Sequence, residues 1–247
     1  MLLKSQFKYI QSLGHKKFRD TENVFVAEGP KIVNELLNES GTPLVTLFAV
    51  KEWIVLNPQW VAAHSSRQLI EIAQHELERM SGLSTPNMVL GLFQKPDFGS
   101  PEFGKRITLV LDKIQDPGNL GTIIRIADWF GLHQIVCSKE SADAFNAKTV
   151  QASMGSIARV SVFYEDLLAF LKAHDQIPRY AAVLGGSNLY LLEPLQEAMI
   201  LIGNESQGLD PELLRICKHQ LSIPRKGQAE SLNAAIATGI ILSHLIK

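Results

Sequence analysis

The chain has 247 residues, 46% hydrophobic and 20% charged, with a formal net charge of −1. That length supports a substantial core in one large or two smaller domains, and the composition is globular, neither fibrous nor disordered. No apolar stretch approaches the ~18–20 residues of a membrane span, the start MLLKSQFKYIQ is too polar for a signal-peptide core, and the net charge alone does not advertise a nucleic-acid binder.

Apolar periodicity and Gly/Pro punctuation predict a small α/β unit over residues 1–93. Residues 4–13 read as a helix and 24–27 as a strand. Gly29 and Pro30 open a helix over 31–38. A strand follows at 44–50, then a short helix or turn at 53–60 and a further segment at 67–73. Residues 75–80 read as a helix and 88–93 as a strand. Between Met1 and Arg19 stand Lys4, Lys8, Lys16, Lys17 and Arg19 with no carboxylate. Such a face can grip phosphates, and it also suits a solvated helix surface.

Residues 94–106 hold two prolines and two glycines without apolar periodicity, so they read as a linker. From residue 107 strands and helices alternate. Strands are expected at 107–111, 134–138, 159–163, 180–184, 199–202 and 220–223. Helices are expected at 120–130, 147–154, 165–173 and 211–217, with a final amphipathic helix at 229–246. This alternation predicts a mainly parallel sheet with helices on both faces. Cys137 and Cys217 have no metal-site or disulfide spacing, which points to a reducing cytoplasm.

Two motif fragments fail on context. GSPEFGK at 99–105 has phosphate-loop spacing, but Arg106 follows where Ser or Thr belongs, and a strand follows where a helix is needed. His75-Glu76 begins a zinc-protease helix, but Arg79 occupies the second ligand position. The histidines show no ligand spacing, and no metal site is expected.

Three loops carry the chemistry. In DPGNLGTIIR, Asn119 and Arg125 stand on the opening turns of a helix. An arginine buried in that apolar run needs an anion, and a structural salt bridge would also satisfy it. IGNESQGL pairs Asn204 and Glu205 with Gly203 and Gly208. Its carboxylate can orient a hydroxyl or amine, or act in a capping box. IPRKGQAESLN leads into the last helix. There Gly227 suits a close-approach backbone, and Ser231 and Asn233 sit where backbone N–H groups are unpaired. Leu184 and Gly185 form another glycine-bearing strand-end loop.

The order N-x5-R, then G-N-E, then IP-x-x-G-x3-SLN resembles the three motifs of the SPOUT-superfamily RNA 2′-O-methyltransferases of the TrmH/SpoU type. Residues 148–160 (KTVQASMGSIARV) are similar to that family too, and residues 1–93, with FVAEGPKIVNELL, resemble its substrate-binding domain. The resemblance implies an α/β catalytic domain over residues 107–247 ending in a trefoil knot. It implies S-adenosylmethionine bound by Leu184, Gly185, Gly203, Ile223 and Leu232. Arg125, Asn119, Glu205, Ser231 and Asn233 would then be the catalytic set, without a metal. It further implies a homodimer acting on structured RNA, rRNA in preference to tRNA. Arg225 and Lys226 depart from the family, which often has Met after Ile-Pro. A non-catalytic RNA-binding protein on the same scaffold is the rival reading. A nucleotide-binding oxidoreductase is a second, but the first-strand glycine fingerprint is missing.

Overall fold

The computed structural model describes residues 2–63 and 68–246. In chain order the first elements are α1 (Lys4–Ser12), α2 (Lys16–Glu22), β1 (Val24–Glu28), α3 (Pro30–Leu37), β2 (Leu44–Ala49), α4 (Lys51–Leu56), α5 (Pro58–Ala63), β3 (Leu69–Glu71), α6 (Gln74–Met80) and β4 (Val89–Gln94). Then come β5 (Ile107–Leu111), α7 (Pro117–Trp129), β6 (Gln134–Ser138), α8 (Ala147–Ser153), β7 (Ser161–Glu165), α9 (Leu167–Ala173), β8 (Arg179–Asn188), β9 (Ala198–Ile202), α10 (Pro211–Arg215), β10 (His219–Ser222) and α11 (Ala234–Leu245). The chain divides into two compact units. One holds the chain up to Asp97 together with Phe145–Ala158, and the other holds Phe98–Ala144 and the chain from Arg159 on.

The first unit is built on a four-stranded sheet in the order β1-β4-β2-β3. β4 runs antiparallel to β1 and β2, and β3 runs parallel to β2. Phe7, Ile10 and Leu13 of the α1 region meet Leu77, Leu90 and Leu92 in one core. α8 packs beside β1 although its chain position is between two strands of the second unit. The Phe145 ring lies 5.2 Å from that of Phe25, and a side chain at Gly155 would collide with Glu35.

The second unit holds six strands in the order β10-β8-β9-β5-β6-β7, every pair parallel. Every residue of β6 and β9 is buried, as expected for strands covered by helices on both faces. At roughly 1.5–3 kcal/mol for each fully buried Val, Leu or Ile, these strands dominate the stability of the unit.

The elements depart from their sequence-based bounds at instructive places. The 53–60 segment is two helices because Pro58 starts a new one, where its missing N–H is harmless. Residue 67 of the 67–73 segment lies outside the described residues; the remainder carries β3. α2 was not anticipated. The final helix starts at Ala234, not at 229, because Asn233 caps it, accepting from the N–H groups of Ala235 and Ile236. Nor is it amphipathic: it is apolar almost all round, with Ile241, Leu242 and Leu245 buried while Ile236 is exposed.

Arg19, grouped above with the phosphate-gripping cations, is buried instead, at 3% exposure. Its Nη1 donates to the carbonyls of Leu13 (2.6 Å) and Gly14 (2.9 Å). These belong to the end of α1, whose last carbonyls lack helical partners. Arg19 therefore locks the α1–α2 corner.

Glu76 closes the other end of α1. Its carboxylate accepts from the N–H of Leu2 at 2.9 Å and of Ala73 at 3.0 Å. The Ala73 N–H and then the Leu2 N–H hold its carboxyl below the ordinary value of 4.5. A depressed carboxyl adds stability that is complete above the unfolded value and disappears as pH falls through the folded one. Glu76→Gln should thus lower stability at pH 7 by roughly 1–3 kcal/mol, and the gap should close in acid, below pH 4.5. Urea melts of both proteins at neutral and acidic pH measure it; an equal gap at both would refute the role of the charge.

Candidate functional site

All six strands of the parallel sheet end on one edge, so the loops that follow them meet there. After β5 the chain turns sharply at Asp112 and Lys113. The Asp112 N–H donates to the Ile202 carbonyl at 2.9 Å, and its buried carboxylate accepts the Asp210 N–H at 2.8 Å. Lys113 has φ of +54°, in the left-handed region, which a non-glycine residue holds only when its surroundings fix it. They do. Its N–H donates to Ser138 Oγ (2.9 Å), its Nζ meets Asp210 Oδ2 (3.0 Å), and its carbonyl accepts from Asn204 Nδ2 (2.9 Å). Burial pushes the Asp112 carboxyl up. The Glu212 N–H and then Lys113 hold that of Asp210 down. This clamp ties the turn after β5 to the loop after β9.

Asp116 caps α7 by accepting the Asn119 N–H at 2.8 Å, with Pro117 in the first turn. That leaves the Asn119 side chain free to face the loops. Its Nδ2 donates to Glu205 Oε1 at 2.5 Å, and its Oδ1 accepts from Asn233 Nδ2 at 2.8 Å. Asn233 Oδ1 in turn accepts the N–H groups that open α11. One chain of hydrogen bonds thus joins the three sequence loops. Glu205 does not serve as a cap; Asp210 caps α10 instead, accepting from the Glu212 N–H at 3.0 Å.

The loop after β9 is closed by paired backbone bonds between Asn204 and Gly208, at 3.1 and 2.9 Å. Asn204 Oδ1 also accepts from the N–H groups of Ser206 and Gln207, which leaves Glu205 displayed at the tip. A side chain at Gly203 would collide with the backbone of Gly208 and Leu209. The space around Gly227, expected above to be a close approach, is open.

β8 runs unbroken past residue 184 to Asn188. Its pairing with β10 passes from Ala181↔Gln220 directly to Ser187↔Leu221, so residues 182–186 form a bulge. Leu184 is 72% exposed there, and Gly185 has φ of +86°. After β10, Leu232 is 45% exposed, Ile223 is half-buried and Ser231 is exposed. Ser231 stands two residues before the cap and makes no hydrogen bond among the described residues.

Arg125 departs from the buried arginine expected above. It is exposed and forms no ion pair among the described residues. Six residues of helix turn it about 120° away from Asn119, so it lies outside the hydrogen-bonded chain and presents its guanidinium to solvent. Ile123 and Ile124 of the same run are buried in the chain's own core, whereas Trp129 is 84% exposed.

Sequence reasoning missed Asp112, Lys113 and Asp210. Asp-Pro pairs at 116–117 and 210–211 were the available signal, since Asp before Pro at a helix start marks a cap. The clamp role of Asp112 and Lys113 left no comparable mark. Both cysteines are buried, and burial pushes the Cys217 thiol up to about 11, so neither resembles an activated nucleophile. Among the described residues no three His, Cys, Asp or Glu side chains converge as a metal requires.

A parallel sheet with three polar loops joined at its carboxyl edge defines an α/β ligand-binding unit of the open-sheet kind. The chain belongs to the SpoU rRNA methylase family: residues 106–243 match that family, and residues 4–91 match the MRM3-like substrate binding domain. It is 33% identical over 241 residues to the 23S rRNA (guanosine(2553)-2′-O)-methyltransferase RlmP of Bacillus subtilis, covering 95% of this chain and 93% of the relative. The fold matches a TrmH-family protein from Porphyromonas gingivalis with a TM-score of 0.83 and 36% identity, over 98% of this chain and 97% of that one. An AdoMet-bound rRNA methyltransferase from Sinorhizobium meliloti matches with a TM-score of 0.83 and 31% identity, over 98% and 94%.

The two glycines distinguish themselves by substitution. Gly203→Ala should lower the melting temperature and disturb the Glu205 loop, because backbone must move to admit the methyl group. Gly227→Ala should stay within about 0.5 kcal/mol of the parent, as surface changes do. Thermal melts of both settle it; equal effects would contradict the packing.

Proposed function

We propose that this chain transfers a methyl group from S-adenosylmethionine to a ribose 2′-OH of ribosomal RNA in the cytoplasm. The observation that carries the reading is the Glu205–Asn119–Asn233 hydrogen-bond chain, which joins all three family loops at one edge. The loops also suit the cofactor. Among the described residues, no backbone-to-backbone hydrogen bond involves residues 224–232. Apart from the Ala229 carbonyl, which accepts from Arg225 Nη1 at 3.2 Å, and Pro224, which has no N–H, their backbone groups are available to a ligand, with exposed Leu184 and Leu232 as apolar cover. Leu184, Gly185, Gly203, Ile223 and Leu232 would hold S-adenosylmethionine, within the trefoil knot implied by the resemblance.

Bound S-adenosylmethionine supplies an electrophilic methyl whose leaving group is neutral, so no metal is required. The chain's part is to position the 2′-OH and ease loss of its proton. Arg125 is not a credible base, because guanidinium stays charged in proteins. It anchors a phosphate and stabilises charge developing on the 2′-oxygen, while phosphate or solvent takes the proton. It is exposed and has no ion partner among the described residues, which leaves it open to that role. Asn119, Glu205, Ser231 and Asn233 orient the ribose; Arg125, which lies outside their hydrogen-bond chain, is not held by them.

Residues 1–93 would select the RNA, 94–106 link, and 107–247 catalyse. The protein would act as a homodimer. Support comes from exposed apolar side chains near the α7–α11 pair: Trp129, Ile236, Tyr190 and Leu191 are 84, 56, 56 and 81% exposed. Exposed aromatic and aliphatic side chains of this sort become the core of an interface when two copies pair. Light scattering at micromolar concentration should show twice the 27.4 kDa chain mass; a monomer alone would refute the dimer.

Arg125→Ala should reduce single-turnover methylation by roughly 10²–10³, the cost of losing a preorganised donor. Melting temperature and S-adenosylmethionine affinity should hardly change, because the side chain is exposed. Arg125→Lys should rescue little, since it lacks the planar fork. Near-normal methylation by folded Arg125→Ala would remove it from the catalytic set. The substrate is tested by mapping 2′-O-methyl groups in ribosomal RNA with and without the gene: loss of a site supports the proposal, and an unchanged map rejects it.

A further inference from the structure

We infer that the α1–α2 corner is a stacking platform for unpaired nucleotides of the RNA, with Phe18 and Tyr9 as the stacking rings. The inference rests on the RNA reading above and deepens it by naming a contact surface and the form of RNA that fits. In the first unit, Phe18 and Tyr9 are the only exposed Phe, Tyr or Trp rings among the described residues, at 46% and 37%. Both belong to one corner, α1 and α2. A lone exposed ring is unremarkable; two on adjoining helices, set among cations, are a different matter.

The charge around them has a definite pattern. Lys4 and Lys8 are one helical turn apart on α1, and Lys17 precedes Phe18 on α2. All three are exposed, and none forms an ion pair among the described residues. Asp20 does not cancel them, because it is held by Lys16 and Lys95, each at 2.6 Å. His15 sets its ring edgewise to Phe18 at 6.3 Å, extending the aromatic surface. Glu22 is the one other carboxylate of the corner. It lies near Tyr9, whose hydroxyl is pushed up by burial and then by this charge. Phosphates are therefore drawn to the Lys17 and α1 lysines, away from Glu22.

The corner is also rigid, which a platform requires. Arg19 bolts the Leu13 and Gly14 carbonyls from within. Phe7, Ile10 and Leu13 bury the opposite side of α1. The Arg79 guanidinium lies 4.4 Å from the Phe7 ring centre, and Gln11 Nε2 donates to the Arg79 carbonyl at 3.0 Å. Stacking needs an exposed base face, which a duplex hides, so the fitting partner is a single-stranded segment or loop.

The test uses the full chain and two RNA probes, a 12-nucleotide single strand and a duplex of equal length, with binding read by fluorescence anisotropy. Phe18→Ala should weaken single-strand binding by about 5- to 150-fold, the range for loss of one stacked base, without altering the salt slope. Tyr9→Ala should act in the same direction, and Phe18→Trp should restore affinity. Lys17→Ala should lower the salt slope by about 1. Duplex binding should be indifferent to Phe18. Single-strand affinity unchanged in both aromatic variants would overturn the platform, as would an equal loss for duplex. Calorimetry with S-adenosylmethionine on the same proteins separates the two readings. If the cofactor binds and RNA ignores Phe18, the platform alone fails. If the cofactor does not bind but the RNA results hold, the platform stands and the methyl-transfer reading fails.

Discussion

An ionised carboxylate can only accept hydrogen bonds, and the first N–H groups of a helix can only donate them. Between those two fixed ends stand Asn119 and Asn233. Glu205 obliges Asn119 to turn its amino group one way, and the start of α11 obliges Asn233 to turn its carbonyl the other. Only one arrangement of the two amides then satisfies every atom, with Asn233 donating to Asn119. The polarity of the site is thus set by chemistry at its ends. Three loops separated by many residues are held in a single register by side chains with no freedom to flip.

The scaffold explains why this works. A parallel sheet places every strand's carboxyl end on one edge, and the clamp of Asp112, Lys113 and Asp210 fixes the two central loops to each other. The left-handed backbone at Lys113 is tolerated because three partners secure it. Arg125 stands apart from this network. The role proposed for Arg125 needs a guanidinium open to a ligand, and its side chain faces solvent.

Much of this was legible in the sequence. β5 and β6 are buried on both faces and read as mostly apolar segments, ITLVL and QIVCS, and their expected ends match to the residue. The three loops were legible from their Gly, Asn and Pro content. Burial of individual polar groups was not. Arg19 sits in the polar run KKFRDTE and Arg125 in the apolar run TIIRIADWF, yet the first is interior and the second exposed. Helical phase decides that, and phase depends on where the helix begins. α2 escaped notice because KKFRDTE has too few apolar residues to show a period. The bulge at residues 182–186 was invisible because a shift of register depends on the partner strand.

The placement of Phe145–Ala158 with the first unit bears on how the protein is made. The polypeptide passes between the units three times, after residues 97, 144 and 158. A ribosome delivers the N-terminal strands and helices first, but these lack the Phe145 ring and α8 until some fifty further residues have emerged. By then β5, α7 and β6 of the second unit are already outside the tunnel. The first unit is therefore complete only after synthesis of the second has begun, and the second only after the first is whole.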